Sequence, residues 1–250
     1  MLVFEYLLVG IFGICIGSFC SMLIYRLPKM QSDKSINLLM PKSHCPRCKE
    51  ELGAFMLIPI LSFLIQKGKC KFCNKKIHIS YLLNELIHLI VILTILFYIG
   101  FSIYGFIIYI IFSILYVLFF LDLKYLYLPF YLNISLIFIG LTINYFFKTF
   151  VSIEEAILGS VVGFGVLWLV NVIYKYFRSK DGIGGGDFIL LAGLGSIFGL
   201  LALGPIMLLG SSCSLLIYAM QKNKNNKEIP LGSGLILGSV LYFLIRYQII

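Results

Sequence analysis

Apolar residues fill long blocks of the chain and polar residues gather in short stretches between them, so the pattern is read by block length rather than by helical or strand period. Runs long enough to cross a hydrocarbon layer of ~30 Å predict helices over 2–25, 82–101, 104–121, 129–147, 156–176, 187–200, 202–219 and 232–249. The sixth is short and rich in glycine. This predicts an all-α polytopic membrane protein of about eight transmembrane helices. Its organisation is a first helix (1–25), a polar loop (26–81) and a transmembrane bundle (82–250). Glu5 stands where a cleaved signal peptide carries basic residues, and the first run ends at "YRLPK" without a small-residue cleavage site, so that helix is expected to stay.

Composition agrees with the blocks. The chain is 60% hydrophobic and only 12% charged, which excludes an ordinary soluble domain. Charge then orients the helices. Strict alternation places 26–81, 122–128, 177–186 and 220–231 on one side, together with Lys175 at the end of its helix. Of the 20 Lys and Arg residues, all but Lys148 and Arg246 fall there. The excess of basic residues assigns that side to the cytoplasm and puts both termini outside. The net charge of +9 is thereby explained by topology and by anionic lipid, and no nucleic-acid partner is expected.

The polar loop contains "CPRC" and "CKFC", which pair Cys45 with Cys48 and Cys70 with Cys73. Two knuckles of this spacing complete a tetrahedral thiolate site, so a zinc-ribbon-like loop with one structural zinc ion is expected. Four protein ligands close the coordination sphere and leave the metal a structural part only. A pair of disulfides or four unrelated thiols is the alternative, and a cytoplasmic location disfavours the disulfides. Cys15, Cys20 and Cys213 lie in apolar blocks and read as small packing residues. Between the knuckles, "AFMLIPILSFLI" is too short for a span and too apolar for a soluble loop, which predicts a re-entrant or surface-lying segment.

Among the acids, Glu154 and Glu155 open a helix on the outward side, where the helix dipole suits them. Asp122 closes the third run in "YVLFFLDLKYLYLPF" and Asp187 opens the sixth in "GIGGGDFILLAGLGSIFG". Alternation brings both to the cytoplasmic membrane edge. Acids at this depth face a bundle interior or a water-filled cavity. A facing pair of carboxylates suits aspartyl-protease chemistry, in which one takes a proton from water while its protonated partner polarises the scissile carbonyl. Gly184, Gly185 and Gly186 would then leave room for an extended substrate backbone and lend Asp187 freedom to move. Other readings stay open at this point: Asp187 as the N-cap of the sixth helix, Asp122 paired with Lys124, or both acids lining a transporter pathway.

Five ordered blocks resemble the bacterial prepilin peptidases, also called type IV leader peptidases, which are G-x-G-D intramembrane aspartyl proteases. They are "GSFCSMLIYRLP", the knuckles with "IPILSFL" and "ISYLLNELI", "LDLKYLYLP", "GIGGGDFILLAGLGSIFG" and "IPLGSGLILG". The resemblance implies that Asp122 and Asp187 are catalytic. It also implies a substrate that is a type IV prepilin or pilin-like precursor, cut after a glycine behind a short basic leader, in a bacterial cytoplasmic membrane. Many members also methylate the new N-terminus with S-adenosylmethionine, so that activity is a further expectation, with no residues attached to it. A small transporter and a zinc-dependent pilus assembly scaffold are the alternatives. The chain departs from the family pattern at Ile189 (commonly lysine), Phe130 (commonly acidic or asparagine), Ser21 (commonly asparagine) and Leu82 (commonly proline).

Overall fold

A computed structural model describes residues 2–220 and 229–247. Lys222, Lys224 and Lys227, which entered the charge count, lie outside the described residues. The long helices are α1 (Leu2–Ser32), α3 (Ser80–Ile99), α4 (Ile103–Tyr125), α5 (Phe130–Phe147), α6 (Ile153–Arg178), α7 (Gly185–Phe198), α8 (Leu203–Met220) and α9 (Leu231–Tyr247), with a short α2 (Leu61–Ile65) in the first loop. No strand occurs among the described residues, only isolated bridges between His44 and Glu51 and between Lys69 and Lys76. Six of the helices are long and apolar enough to span a membrane, and α7 and α9 are shorter apolar helices. The expected all-α, multi-pass architecture is therefore present.

Several helices end later than the apolar blocks. The block ending at residue 25 continues as helix to Ser32 with Pro28 inside it. A proline removes one backbone donor, but a neighbouring contact holds the turn together: the Lys29 ammonium sits 3.7 Å from the Tyr25 ring centre, one turn back. The third helix likewise runs past 121 to Tyr125, so Asp122 lies inside it, and Leu126 at φ 52° ends it.

The chain falls into two compact units, Met1–Ser113 and Ile114–Ile250, with the boundary inside α4. In the first, α1 packs on α3. A Cβ at Gly17 would lie 2.8 Å from Asn84 O and from Glu85 Cα, so the helices approach to backbone distance there. Asn84 Nδ2 donates to Ser21 Oγ at 2.8 Å beside that contact. The apolar segment between the knuckles forms a 3₁₀ turn (Ala54–Leu57) and α2, and buries none of the residues in either. Phe55 and Ile65 are among its exposed side chains. Of the cysteines read as packing residues, Cys20 is buried and Cys213 half-buried, but Cys15 is exposed on its helix.

In the second unit, α7 is the core. It packs against α5, α6, α8 and α9, and every residue from Asp187 to Phe198 except Ile189 is buried. Gly159 and Gly163 of α6 meet Gly195 and Leu191 of α7 backbone to backbone, the small-residue packing that replaces a hydrophobic driving force inside lipid. The C-terminal end of α7 is closed by buried Asn144. Its Nδ2 donates to Ser196 O and Ile197 O at 2.9 Å, and its Oδ1 accepts from Phe150 N and Val151 N. Helix ends buried in an apolar setting need such partners. At α6, Ser152 caps the helix by accepting from Glu155 N, a serine-x-x-glutamate arrangement beside the dipole-facing acids.

Candidate active site and metal centre

Asp122 projects from the last turns of α4 and Asp187 from the first turn of α7, and both are buried, 5% and 9% exposed. Their relationship is fixed by a third residue. A Cβ at Gly232, the second residue of α9, would lie 3.1 Å from Asp122 Cγ and 3.1 Å from Asp187 Oδ1. The two carboxyl groups thus flank one point of backbone, no farther apart than those two reaches laid end to end. Asp122 Oδ2 accepts from Ser233 twice, from its backbone N–H and from its hydroxyl at 2.7 Å. Asp187 Oδ1 is buried with no hydrogen-bond partner among the described residues. A buried acceptor left open in this way suits a water or a substrate group.

The start of α7 is held from three sides. Asn133 Nδ2 of α5 donates to Gly186 O at 3.1 Å. Leu128, just before α5, closes on Gly186, where a Cβ would come within 2.7 Å of Leu128 Cβ. Asn171 Oδ1 of α6 accepts from Gly182 N and Ile183 N at 2.8 and 3.0 Å, and its Nδ2 donates to Asp181. The Asp181 carboxyl also meets Lys175 at 3.1 Å, and these two hydrogen bonds hold it below the usual carboxylate range.

At the glycines the structure shows close packing at one position and open space at another. Gly184 is the N-cap and Gly185 and Gly186 open the helix, all without positive φ. Closeness at Gly186, rather than freedom, is what excludes a side chain. Gly185 has open space around it. Asp187 is not the N-cap, since Gly184 occupies that place and no side chain caps the helix. Asp122 forms no ion pair with Lys124 among the described residues; the Lys124 ammonium lies over the Phe120 ring at 5.4 Å.

In the first unit the four thiols gather. The Sγ atoms of Cys45, Cys48, Cys70 and Cys73 all lie within 4.8 Å of one another, with Cys45–Cys73 and Cys48–Cys70 at 4.0 Å. A tetrahedral zinc with Zn–S of about 2.3 Å spaces its sulfurs about 3.8 Å apart, so the donor set has the size for one ion. The knuckles repeat each other. Lys49 and Asn74 both take positive φ, and each donates its N–H to the carbonyl of the first cysteine of its knuckle, Cys45 or Cys70. Cys45 and Cys70 in turn donate to Glu50 O and Lys75 O.

Comparison with known proteins gives this arrangement a family. A family model described as the bacterial Peptidase A24 N-terminal domain matches residues 11–99, and one described as the type IV leader peptidase family matches 107–220. A prepilin leader peptidase/N-methyltransferase of Neisseria gonorrhoeae is 31% identical, over 94% of this chain and 89% of its own. The chain belongs to the type IV leader peptidase family. Proteins of the same name from Pectobacterium carotovorum subsp. carotovorum and Stutzerimonas stutzeri are each 32% identical, over 92% and 89% of this chain and 90% and 84% of theirs. No solved structure matches. Family membership sets aside the transporter and scaffold readings. For a leader peptidase of this family the sequence reading missed Gly232, Ser233, Asn133 and Asn171. The available signal was the small-residue run "GSG" opening the last helix, on the side of the membrane that alternation gives to both acids.

Proposed function

We propose that Asp122 and Asp187 are the catalytic carboxylates with which this type IV leader peptidase cleaves a type IV prepilin or pilin-like precursor. The observation that carries this reading is the convergence of both carboxyl groups on Gly232, beside an unpartnered Asp187 Oδ1. A water seated between the acids gives a proton to one carboxylate as its oxygen adds to the scissile carbonyl carbon. The protonated partner donates to the carbonyl oxygen. The first carboxyl then passes its proton to the amide nitrogen as the C–N bond breaks, and a hydroxyl of the collapsing intermediate returns its proton to the other carboxylate. Ser233 holds the Asp122 carboxyl through Oδ2.

Gly184, Gly185 and Gly186 form the approach for the substrate backbone, with the open side at Gly185. The precursor presents a short basic leader and a hydrophobic helix and is cut after a glycine. Cleavage takes place at the cytoplasmic face of the bacterial cytoplasmic membrane, with both termini of the enzyme outside. The asymmetric placement of Lys and Arg supports that orientation. The four thiols hold one structural zinc ion, which orders the first loop and takes no part in hydrolysis.

The enzyme also methylates the amine that cleavage exposes. This second activity is supported by the name its relatives share. S-adenosylmethionine is the methyl donor and supplies an electrophilic methyl group when bound. Reconstitution with a purified precursor tests the whole reading: a mass spectrum of the product N-terminus reports both the cut and the methyl group. An intact precursor would refute it.

A further inference from the structure

The segment that joins α4 to α5 sets a leucine against the carboxyl pair. Leu126 ends α4 at φ 52°, and Pro129 is the N-cap of α5 in extended backbone. Leu128 lies between them, and a residue before proline is itself confined to extended conformations. Its side chain is therefore placed by a short, stiff connector.

One methyl group of this side chain reaches both glycines of the site. A Cβ at Gly186 would lie 2.7 Å from Leu128 Cβ and 3.4 Å from Leu128 Cδ1. A Cβ at Gly232 would lie 2.8 Å from the same Cδ1, and that position is 3.1 Å from Asp122 Cγ and from Asp187 Oδ1. The methyl thus stands beside the point that the two carboxyl groups flank, wedged between the first turns of α7 and α9. It comes this close because neither glycine has a side chain. Leu128 is only half-buried, so part of it stays within reach of a substrate.

The same crowding meets a peptide held for hydrolysis. Its scissile carbonyl carbon must approach the water between the acids. The residue that supplies this carbonyl has its Cβ two bonds from the attacked carbon, one bond nearer than the Cβ of the residue that follows. A side chain there competes with the Leu128 methyl for the space beside Gly232, and a glycine does not. From this we infer that Leu128 is the residue that restricts the position immediately before the cut to glycine. The inference rests on the reading of Asp122 and Asp187 as the catalytic pair and gives the substrate preference a structural cause. Leu128 selects the substrate and takes no part in proton transfer. One additional methylene in a closed apolar pocket changes kcat/KM by about 10- to 200-fold, and a rigid wall places the discrimination in that range.

The test measures kcat/KM of the purified full-length enzyme on two forms of one precursor, with glycine or alanine immediately before the cut. The unaltered enzyme is expected to favour the glycine form at least tenfold. Leu128→Ala opens the wall, so it should slow cleavage of the glycine form and speed that of the alanine form, lowering the preference at least tenfold. Leu128→Val, with a shorter side chain, should fall between. A preference unchanged in both variants overturns the inference, because a purely structural role slows the two precursors equally. Loss of all cleavage by both variants overturns it too, since Leu128 would then serve the fold and not selection. Equal cleavage of the two forms by the unaltered enzyme overturns this inference and leaves the catalytic pair standing. Cleavage of neither form by the unaltered enzyme overturns the pair and this inference with it.

Discussion

Ser233 holds Asp122 through two hydrogen bonds to one oxygen, from residues 111 positions apart in the chain. The backbone N–H bond depends only on the position of α9, while the hydroxyl bond depends on the side chain. Ser233→Ala removes the second and keeps the first. A hydrogen bond to a charged group contributes about 1.5–3 kcal/mol, so kcat for leader cleavage is expected to fall roughly tenfold to a hundredfold with KM little changed. Steady-state kinetics on a purified precursor reads this split, and an unchanged kcat would remove Ser233 from the site.

Gly232 makes a sharper prediction. An alanine methyl there meets both carboxyl groups at 3.1 Å, tighter than side-chain carbons normally approach. Gly232→Ala is expected to reduce cleavage by about a hundredfold, in line with the sensitivity of catalysis to displacements of about 1 Å. Gly165, on α6 with open space around it, is the matched control. Gly165→Ala should leave cleavage unchanged and raise thermal stability slightly, since alanine is the better helix former by about 1 kcal/mol.

These two residues mark the limit of what could be read from the sequence. Helix number and the positions of Asp122 and Asp187 were legible, because spanning a bilayer demands long apolar blocks and makes each interrupting acid conspicuous. Helix ends were less so, since hydropathy reports apolarity and not hydrogen bonding. This is why α1 runs through Pro28 and α4 carries Asp122 inside a helix. Ser233 and Gly232 reach the site through tertiary packing, which no local pattern encodes. The glycine run was visible, but the close packing at Gly186 was not. Freedom of φ and close approach both select glycine, and only coordinates distinguish the packing of Gly186 on Leu128 from a flexible hinge. The position of Ile189, half-buried where the rest of 187–198 is buried, gives no reason for its departure from the family's common lysine.

The thiol cluster predicts about one zinc per chain by elemental analysis of the purified protein. Cys45→Ser and Cys73→Ser should each abolish stoichiometric metal, because they remove one ligand from each knuckle of a four-ligand set. Metal-free protein from the unaltered sequence would contradict the site.

The bonds around Asn171 predict how the glycine segment responds to pH. Asp181 is held below the usual carboxylate range by Lys175 and Asn171, so its contribution is present above the ordinary aspartate value and is lost as pH falls through the lowered one. Cleavage between about pH 5 and pH 8 is therefore independent of Asp181 titration, and Asp181→Asn, at an exposed ion pair, should change the pH profile little. Asn171→Ala also frees the Gly182 and Ile183 N–H groups and is expected to cost about tenfold in cleavage at every pH.

The most direct test of the account is the interaction between the two acids. Cleavage of a purified precursor is measured for Asp122→Asn, Asp187→Asn and the double variant, with folding checked by metal content. If the carboxyl groups act as one unit at Gly232, each single change abolishes cleavage to background and the double change costs nothing further. Substantial cleavage by either single variant, or losses that multiply in the double, would contradict the pair.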